Sequence, residues 1–236
     1  MSRHVLTYNG VNLIRYGVYV SGEDSWGKPA PNITRIAVPG RSGDLAVFNN
    51  RFENVEIPYH LGIVEDFSTN YNALISFLLS DIGYKKLVDS YHPDVYRMAL
   101  IETGISPQMT RESREGTFDL VFNCKPQIYL DSGDTAVTFT SSGYVENPTQ
   151  FRAKPLLRVY GTGRLTVSGT TIEISENSNY TDIDCELEDA YRGTENRNRY
   201  VTLSSGEFPT ISPGRAGITM GSGITKVIVT PRWWRL

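Results

Sequence analysis

The sequence predicts a mainly β protein with one helix, in which an N-terminal half of long strands precedes a small antiparallel sandwich. Three observations point there. Glycine and tyrosine are abundant, at 21 and 14 of 236 residues, and Thr and Val are frequent, as in strands joined by tight turns. Short alternating apolar runs recur with turn dipeptides between them. One segment alone, near residues 68–83, spaces its apolar residues as a helix does.

In "HVLTYNGVNLIRYGVYV", apolar residues flank Asn9-Gly10, which suits a type I′ turn and predicts a hairpin. "SGEDSWGKPAPN", residues 21–32, reads as a loop with one aromatic, Trp26. "ITRIAV" and "LAVF" flank "PGRSGD", residues 39–44, and predict a second hairpin with a longer turn. "RFENVEIPYHLGIV" alternates at Phe52, Val55 and Ile57. It predicts a long strand interrupted near Pro58, which has no amide to give a ladder. Ser68 is placed to cap a helix over "TNYNALISFLLSDIG". Tyr71, Leu74, Ile75, Leu78 and Leu79 form its apolar stripe, and Gly83 is placed to stop it. Such a helix is marginal alone in water, so it is expected to cover a curved sheet. "YKKLVD" and "VYRMALIE" read as strands joined by "SYHPD". "RESREG", residues 111–116, reads as a charged turn. "TFDLVFNC", residues 117–124, turns Phe118, Leu120 and Phe122 inward and is closed by Lys125-Pro126.

Composition shifts near residue 131 to a stretch rich in Ser, Gly, Thr and Pro, with one short strand at "AVTFT". The shift places a domain boundary between residues 1–132 and 133–236. Beyond it come "LLRVYG", "RLTVSG", "TTIEIS", "YTDIDCE", "RYVTLSSG" and "KVIVTPRWW", with a tight hairpin about Ser168-Gly169. Short, evenly spaced strands with turn signals predict an antiparallel sandwich. "GEFPTISPGRAGITMGSG", from Gly206 to Gly223, invites a phosphate-loop reading. Its glycines lack the spacing and the following Lys of a P-loop. "ITKVIVT" then continues as a strand where a phosphate loop needs a helix N-terminus. The stretch reads as a corner leading into the last strand.

Twenty-six acids against 23 strong bases give a net charge of −3, which does not suggest a basic nucleic-acid binder. A chain of this length can bury about 70% of its surface, so a core is feasible. No apolar run approaches the roughly 20 residues of a membrane span. "MSRHVLTYNG" lacks the apolar core of a signal peptide. Cys124 and Cys185, with scattered His4, His60 and His92, show no metal-ligand spacing. The two thiols are expected to be buried and unpaired.

No catalytic constellation emerges. "DIDCELED", residues 182–189, offers oxygens for calcium. Alternation instead puts Asp182, Asp184 and Glu186 on one solvated strand face and Ile183, Cys185 and Leu187 on the other. Glu53, Asp66, Glu102 and Glu173 could supply a glycosidase pair, but any acid-bearing β chain supplies such pairs. The Ser, His and Asp of "SYHPD" lie within one turn, whereas triad members converge from separate segments. Trp233 and Trp234 are adjacent and face opposite ways on a strand, so at most one could join a sugar platform.

"VPGRSGDL", "YHPDVYRMAL", "GTFDLVFNCKPQIYL", "GEFPTISPGRAGITM" and "VTPRWW" follow one another in an order that resembles the distal tail (Dit) proteins of long, non-contractile-tailed bacteriophages. The most specific pieces are "FDLVFNCKPQIY" and the close from "FPTISPG" to "VTPRWW". The resemblance spans essentially the whole chain. It implies a β-barrel-like N-terminal domain that forms a homo-hexameric ring, and a galectin-like β-sandwich at the periphery. It further implies a structural hub in the virion, at the distal end of the tail and assembled in the host cytoplasm. The tail tube protein would lie on one side, and a hub, adhesin or receptor-binding protein on the other. DNA would pass through the channel without specific binding, and there would be no membrane insertion, no cofactor, no metal and no enzymatic activity. At 236 residues the chain has no room for the large sugar-binding insertion of some relatives. Within such a ring, Trp26 and Arg41 are the expected contact residues, since Trp and Arg are favoured interface anchors. The alternative reading is a carbohydrate-binding sandwich protein acting in host-surface adhesion.

Overall fold

Strand β6, Val55–Ile63, and strand β10, Gly116–Leu130, show how the alternation builds the core. In their antiparallel ladder Leu120 faces Tyr59 and Phe122 faces Ile57. All four side chains are buried, while Pro58, His60 and Asp119 between them are exposed. The computed structural model describes residues 4–21, 26–102, 104–109 and 114–236. It divides into two units, residues 1–128 with Leu236, and residues 129–235.

The first unit contains β1, Leu6–Tyr8, β2, Val11–Asn12, and β3, Val18–Val20. It also contains β4, Pro31–Ile36, β5, Leu45–Phe52, helix α1, Phe67–Leu79, β7, Lys85–Asp89, β8, Val95–Leu100, and β9, Pro107–Met109. The main sheet runs β2-β1-β7-β8-β10-β6-β3, with β9 also on β10. It curls into a half-barrel. Asn9 and Gly10 both have positive φ, at 49° and 75°, as a type I′ turn between β1 and β2 requires. Parts of two loop readings, residues 22–25 and 111–113, lie outside the described residues.

The helix packs Phe67, Leu74 and Leu78 into the same core as Phe118, Leu120 and Phe122. Three expectations about it need correction. Ser68 is exposed inside the first turn and caps nothing. The cap is Asp66, held at φ 45°. Its carboxylate pairs with Arg114, whose carbonyl accepts the Phe67 N–H at 3.1 Å. The tertiary contact with Arg114 thus replaces a side-chain cap. Leu79 is 49% exposed, so the stripe narrows to the residues nearest the sheet. The helix ends at Leu79, and Ser80 returns its N–H and Oγ to the Phe77 carbonyl before Gly83 is reached.

Neither expected proline break occurs. Strand β6 passes through Pro58, which sits opposite Val121. Strand β3 pairs only with Leu61–Ile63. Among the described residues no strand pairs with Pro58 on the flank away from β10, so its missing N–H costs no ladder bond there. Strand β10 likewise continues through Pro126, beyond the end of its ladder with β6 at Cys124 opposite Val55.

The second unit is a two-sheet sandwich. Its strands are β11, Val137–Phe139, β12, Gly143–Asn147, β13, Leu156–Gly161, β14, Gly163–Val167, β15, Thr170–Ile174, and β16, Tyr180–Asp184. They continue with β17, Asp189–Arg192, β18, Glu195–Asn196, β19, Val201–Leu203, β20, Gly214–Met220, and β21, Ile224–Thr230. One sheet runs β11-β21-β13-β16-β17-β18, the other β12-β20-β14-β15-β19. The core between them holds Leu157, Val159, Leu165, Ile172, Ile183, Ile218 and Val229, all fully buried. The hairpin turn at Ser168 and Gly169 has φ 50° and 90°.

The glycine-rich stretch is half corner and half strand. Residues 214–220 form β20, which joins β12 to β14 in the middle of a sheet. The glycines after it serve a close crossing of backbones. A Cβ on Gly161 would stand 2.1 Å from the Gly223 carbonyl oxygen, and one on Gly223 would stand 2.5 Å from that of Thr162. No other residue fits there.

Both cysteines are free and buried, and burial pushes each thiol up to about 12. Because the thiolate is the reactive form, iodoacetamide is expected to label neither in the native protein at mildly alkaline pH and both after denaturation. Intact mass should show no loss of two hydrogens. Rapid native labelling, or a disulfide mass, would contradict this packing.

Candidate functional site

The most unusual surface of the first unit is the β4–β5 hairpin. Among the described residues its two strands pair only with each other. Ile33 lies opposite Phe48, and Ile36 opposite Leu45. Side chains alternate, so Ile33 and Phe48 lie on one face and Ile36, Leu45 and Val47 on the other. Each of these five is between 42% and 46% exposed. A hairpin with apolar residues on both faces has a buried strand's sequence in an exposed position. A lone two-stranded ribbon is at best marginally stable in water. Its turn presents Arg41, exposed, whose N–H donates to the Val38 carbonyl at 3.2 Å.

Trp26 lies elsewhere, in the loop before β4, and is half-buried. Its Nε1 donates to Asp89 Oδ2 at 3.3 Å, and its ring stacks on His92 at 3.7 Å. Asp89 also accepts from the Tyr59 hydroxyl at 3.0 Å and the Tyr91 N–H at 2.9 Å, which accounts for its burial. The Arg97 guanidinium, 1% exposed, stands 5.1 Å from the Trp26 ring and donates to the Gly27 carbonyl at 3.1 Å. Burial lowers its pKa. The loop is thus tied to β7 and β8 by polar groups under an aromatic lid. No contact joins Trp26 to Arg41 in this geometry.

The expected solvated face at 182–189 is overturned. Asp182 is 4% and Asp184 2% exposed, and every residue from Thr181 to Cys185 is buried. Arg158 grips Asp182 with two hydrogen bonds of 2.7 and 2.8 Å, and Arg232 grips Asp184 with two of 2.7 and 2.8 Å. Burial opposes ionisation of Asp184, but the Arg232 bonds and the N–H groups of Leu187 and Glu186 outweigh it and hold the carboxyl below its usual range. These carboxylates are committed to guanidinium groups rather than open to calcium. Leu187, expected to face inward, is 70% exposed because the strand ends at Asp184 and a turn follows. The missed signal lay in Arg158 and Arg232, on distant segments.

The other carboxylates are dispersed. Glu53 is bound by Arg51 at 2.8 Å, Asp66 pairs with Arg114, Glu102 accepts from Asn123 at 2.7 Å, and Glu173 faces Arg164 at 3.5 Å. In "SYHPD", Ser90 Oγ accepts the Val5 N–H and His92 stacks on Trp26, so neither serves the other. Trp233 is buried in the sandwich core, and Trp234 stacks on Phe151 at 4.3 Å.

No family model matches the chain, and no curated protein matches its sequence. Solved structures do share its architecture. One is the crystal structure of the Dit protein of phage SPP1, described as a paradigm of the hub adsorption apparatus in phages infecting Gram-positive bacteria. It aligns with a TM-score of 0.72 and 14% identity over 100% of both chains. A chain of the phage P2 baseplate in its activated conformation with calcium aligns with a TM-score of 0.58 and 10% identity over 97% of each chain. One from the same baseplate with strontium aligns with a TM-score of 0.54 and 12% identity, covering 96% of this chain and 97% of that one. Over its whole length, the chain has the fold of the SPP1 Dit protein.

Proposed function

We propose that the protein is the structural hub of a phage tail tip or baseplate. Six copies would form a ring joining the tail tube to the adhesion apparatus. The observation that carries this reading is the β4–β5 hairpin, apolar on both faces and exposed in a single chain. A repeating head-to-tail contact that closes would cover it in every copy. The ring domain is residues 1–132, and residues 133–236 form a peripheral, galectin-like sandwich. Arg41 reaches the neighbour from the hairpin turn, and the exposed part of Trp26 meets it from the preceding loop. The tail tube protein binds one side, and a hub, adhesin or receptor-binding protein the other, in the virion after assembly in the host cytoplasm.

DNA crosses the hole without being gripped. The outward positions of the β6–β10 ladder include Glu56, His60, Asp119 and Asn123, and no Lys or Arg among the paired residues. A face without strong bases neutralises no phosphates, so it releases no counterions from the DNA and suits a channel. The fold similarity to hub and baseplate chains supports a structural rather than an enzymatic role.

Native mass spectrometry and negative-stain microscopy of the purified protein test the reading. The expected result is a closed six-copy ring with a central hole and no tight DNA binding at physiological salt. A protein that stays monomeric at high concentration, or a strongly basic hole, would overturn it.

A further inference from the structure

We propose that the sandwich carries a saccharide pocket on its open flank, between β11 and β12, and that it takes a neutral pyranose ring. This site does not depend on ring assembly. Strand β11 is the edge of one sheet and β12 the edge of the other. Residues 140–142 carry the chain from one edge to the other. A cavity of about 390 Å³ opens there, within the usual range of small-molecule sites of about 300–1,000 Å³. Val145 and Trp233 form its apolar floor, and Ser132, Thr135, Tyr144 and Glu146 supply its ring face and oxygens.

Tyr144 is 62% exposed, although the Arg215 guanidinium covers one face of its ring at 3.8 Å. The part of the ring that the guanidinium does not cover accounts for this exposure. Gly217, its partner across the ladder, lies beside one edge of the ring, where an added Cβ would stand 3.9 Å from Tyr144 Cε1. The result is a clamped aromatic platform, which the apolar C–H face of a sugar can cover. Glu146 stands directly across from Arg215, yet that guanidinium is used on Tyr144. Among the described residues the Glu146 carboxylate has neither hydrogen bond nor ion pair, and it can accept from adjacent sugar hydroxyls. Ser132 and Thr135 add hydroxyls able to donate as well as accept.

The floor is built, not incidental. Arg232 adopts φ 59°, a costly conformation for a non-glycine residue. Its N–H donates to the Gly133 carbonyl at 2.8 Å, and the Trp233 carbonyl accepts from Leu130 at 2.9 Å. These bonds and the Arg232–Asp184 pair fix Trp233 against residues 130–133. An anion would meet Glu146, and a hydrocarbon would waste the hydroxyls, so a ring apolar on its face and hydroxylated at its rim fits best.

The test titrates the full-length protein with methyl glucoside, methyl galactoside, methyl mannoside and methyl N-acetylglucosaminide, following the Trp233 indole N–H resonance, which a Trp233→Phe sample assigns. At least one glycoside should shift this signal saturably. Binding should weaken about tenfold in Glu146→Gln, which loses a charge-assisted hydrogen bond, and vanish in Tyr144→Ala. Both side chains are exposed, so both variants should melt with the wild type, and the near-isosteric Gln keeps the test open if Tyr144→Ala does not. Silence with all four glycosides overturns the proposal. So does unchanged binding in both variants, or a shift produced only by butylammonium, which would make the pocket a cation site.

Discussion

Replacing Arg232 by Met should destabilise the C-terminal unit by about 3–5 kcal/mol at neutral pH, the usual effect of stripping one partner from a buried ion pair. Met keeps an apolar stem in place, so the loss falls on the guanidinium. Asp184, 2% exposed, would retain only the N–H groups of Glu186 and Leu187. For a unit of this size the melting temperature should fall by roughly 10 °C or more. Lys154→Met gives the contrast. Lys154 pairs with Glu188 at 3.1 Å with both side chains about half exposed, and such surface pairs contribute little. A melting curve that moves equally in the two variants would show that the Asp184 pair has no special weight.

The same pair fixes the direction of a pH effect. The Asp184 carboxyl titrates lower in the folded protein than in the unfolded chain. Its contribution is therefore present above the ordinary carboxylate pKa of about 3.9 and is lost as pH falls through the depressed native value. In Arg232→Met the sign reverses. Burial is no longer offset by the guanidinium, so the native carboxyl rises and its penalty fades on acidification. The stability gap between wild type and variant should narrow below about pH 4. Denaturant titrations at neutral and acidic pH read this directly. A gap constant across that range would mean that Asp184 ionisation is not what Arg232 supports.

That pair also marks where sequence reading stopped. Alternation identified the inward residues of β6 and β10, because a two-residue period with large apolar side chains has one solution when one face is buried. Asn9-Gly10 and Ser168-Gly169 were legible because few residues accept positive φ at adjacent positions. Strand β20 was missed because Gly214 and Gly217 weaken the strand signal, and the compensating contact comes from Tyr144 on another strand. Strands β12 and β17 are short and polar enough to read as loop. Asp182 and Asp184 looked solvated because an alternating acid row is identical in sequence whether water or arginine covers it. The cap at Asp66 failed for the same reason, since Arg114 arrives from far along the chain. The hairpin is the inverse case. Its apolar residues were read correctly as strands, but nothing local distinguishes a strand buried in its own fold from one that a neighbour must bury.

Substituting both faces of that hairpin, Ile36→Asp together with Phe48→Asp, should convert the proposed ring to single chains. Burying an apolar side chain this size contributes on the order of 1–3 kcal/mol. Burying an unpaired carboxylate instead costs far more. Repeated at every contact, the change should weaken association by about three orders of magnitude or more. The fold itself should survive. Both residues are nearly half exposed in the single chain, and exposed substitutions usually stay within about 0.5 kcal/mol. Sedimentation velocity should therefore show ring mass for the wild type and monomer mass for the variant, with unchanged melting of the first unit. The variant should also aggregate less, since an uncovered apolar edge is what recruits other chains. Arg41→Ala should give a smaller, salt-dependent loss of rings if the hairpin turn reaches the neighbour. Rings that persist in the double variant would place the contact elsewhere and leave the exposed hairpin without a partner in this assembly.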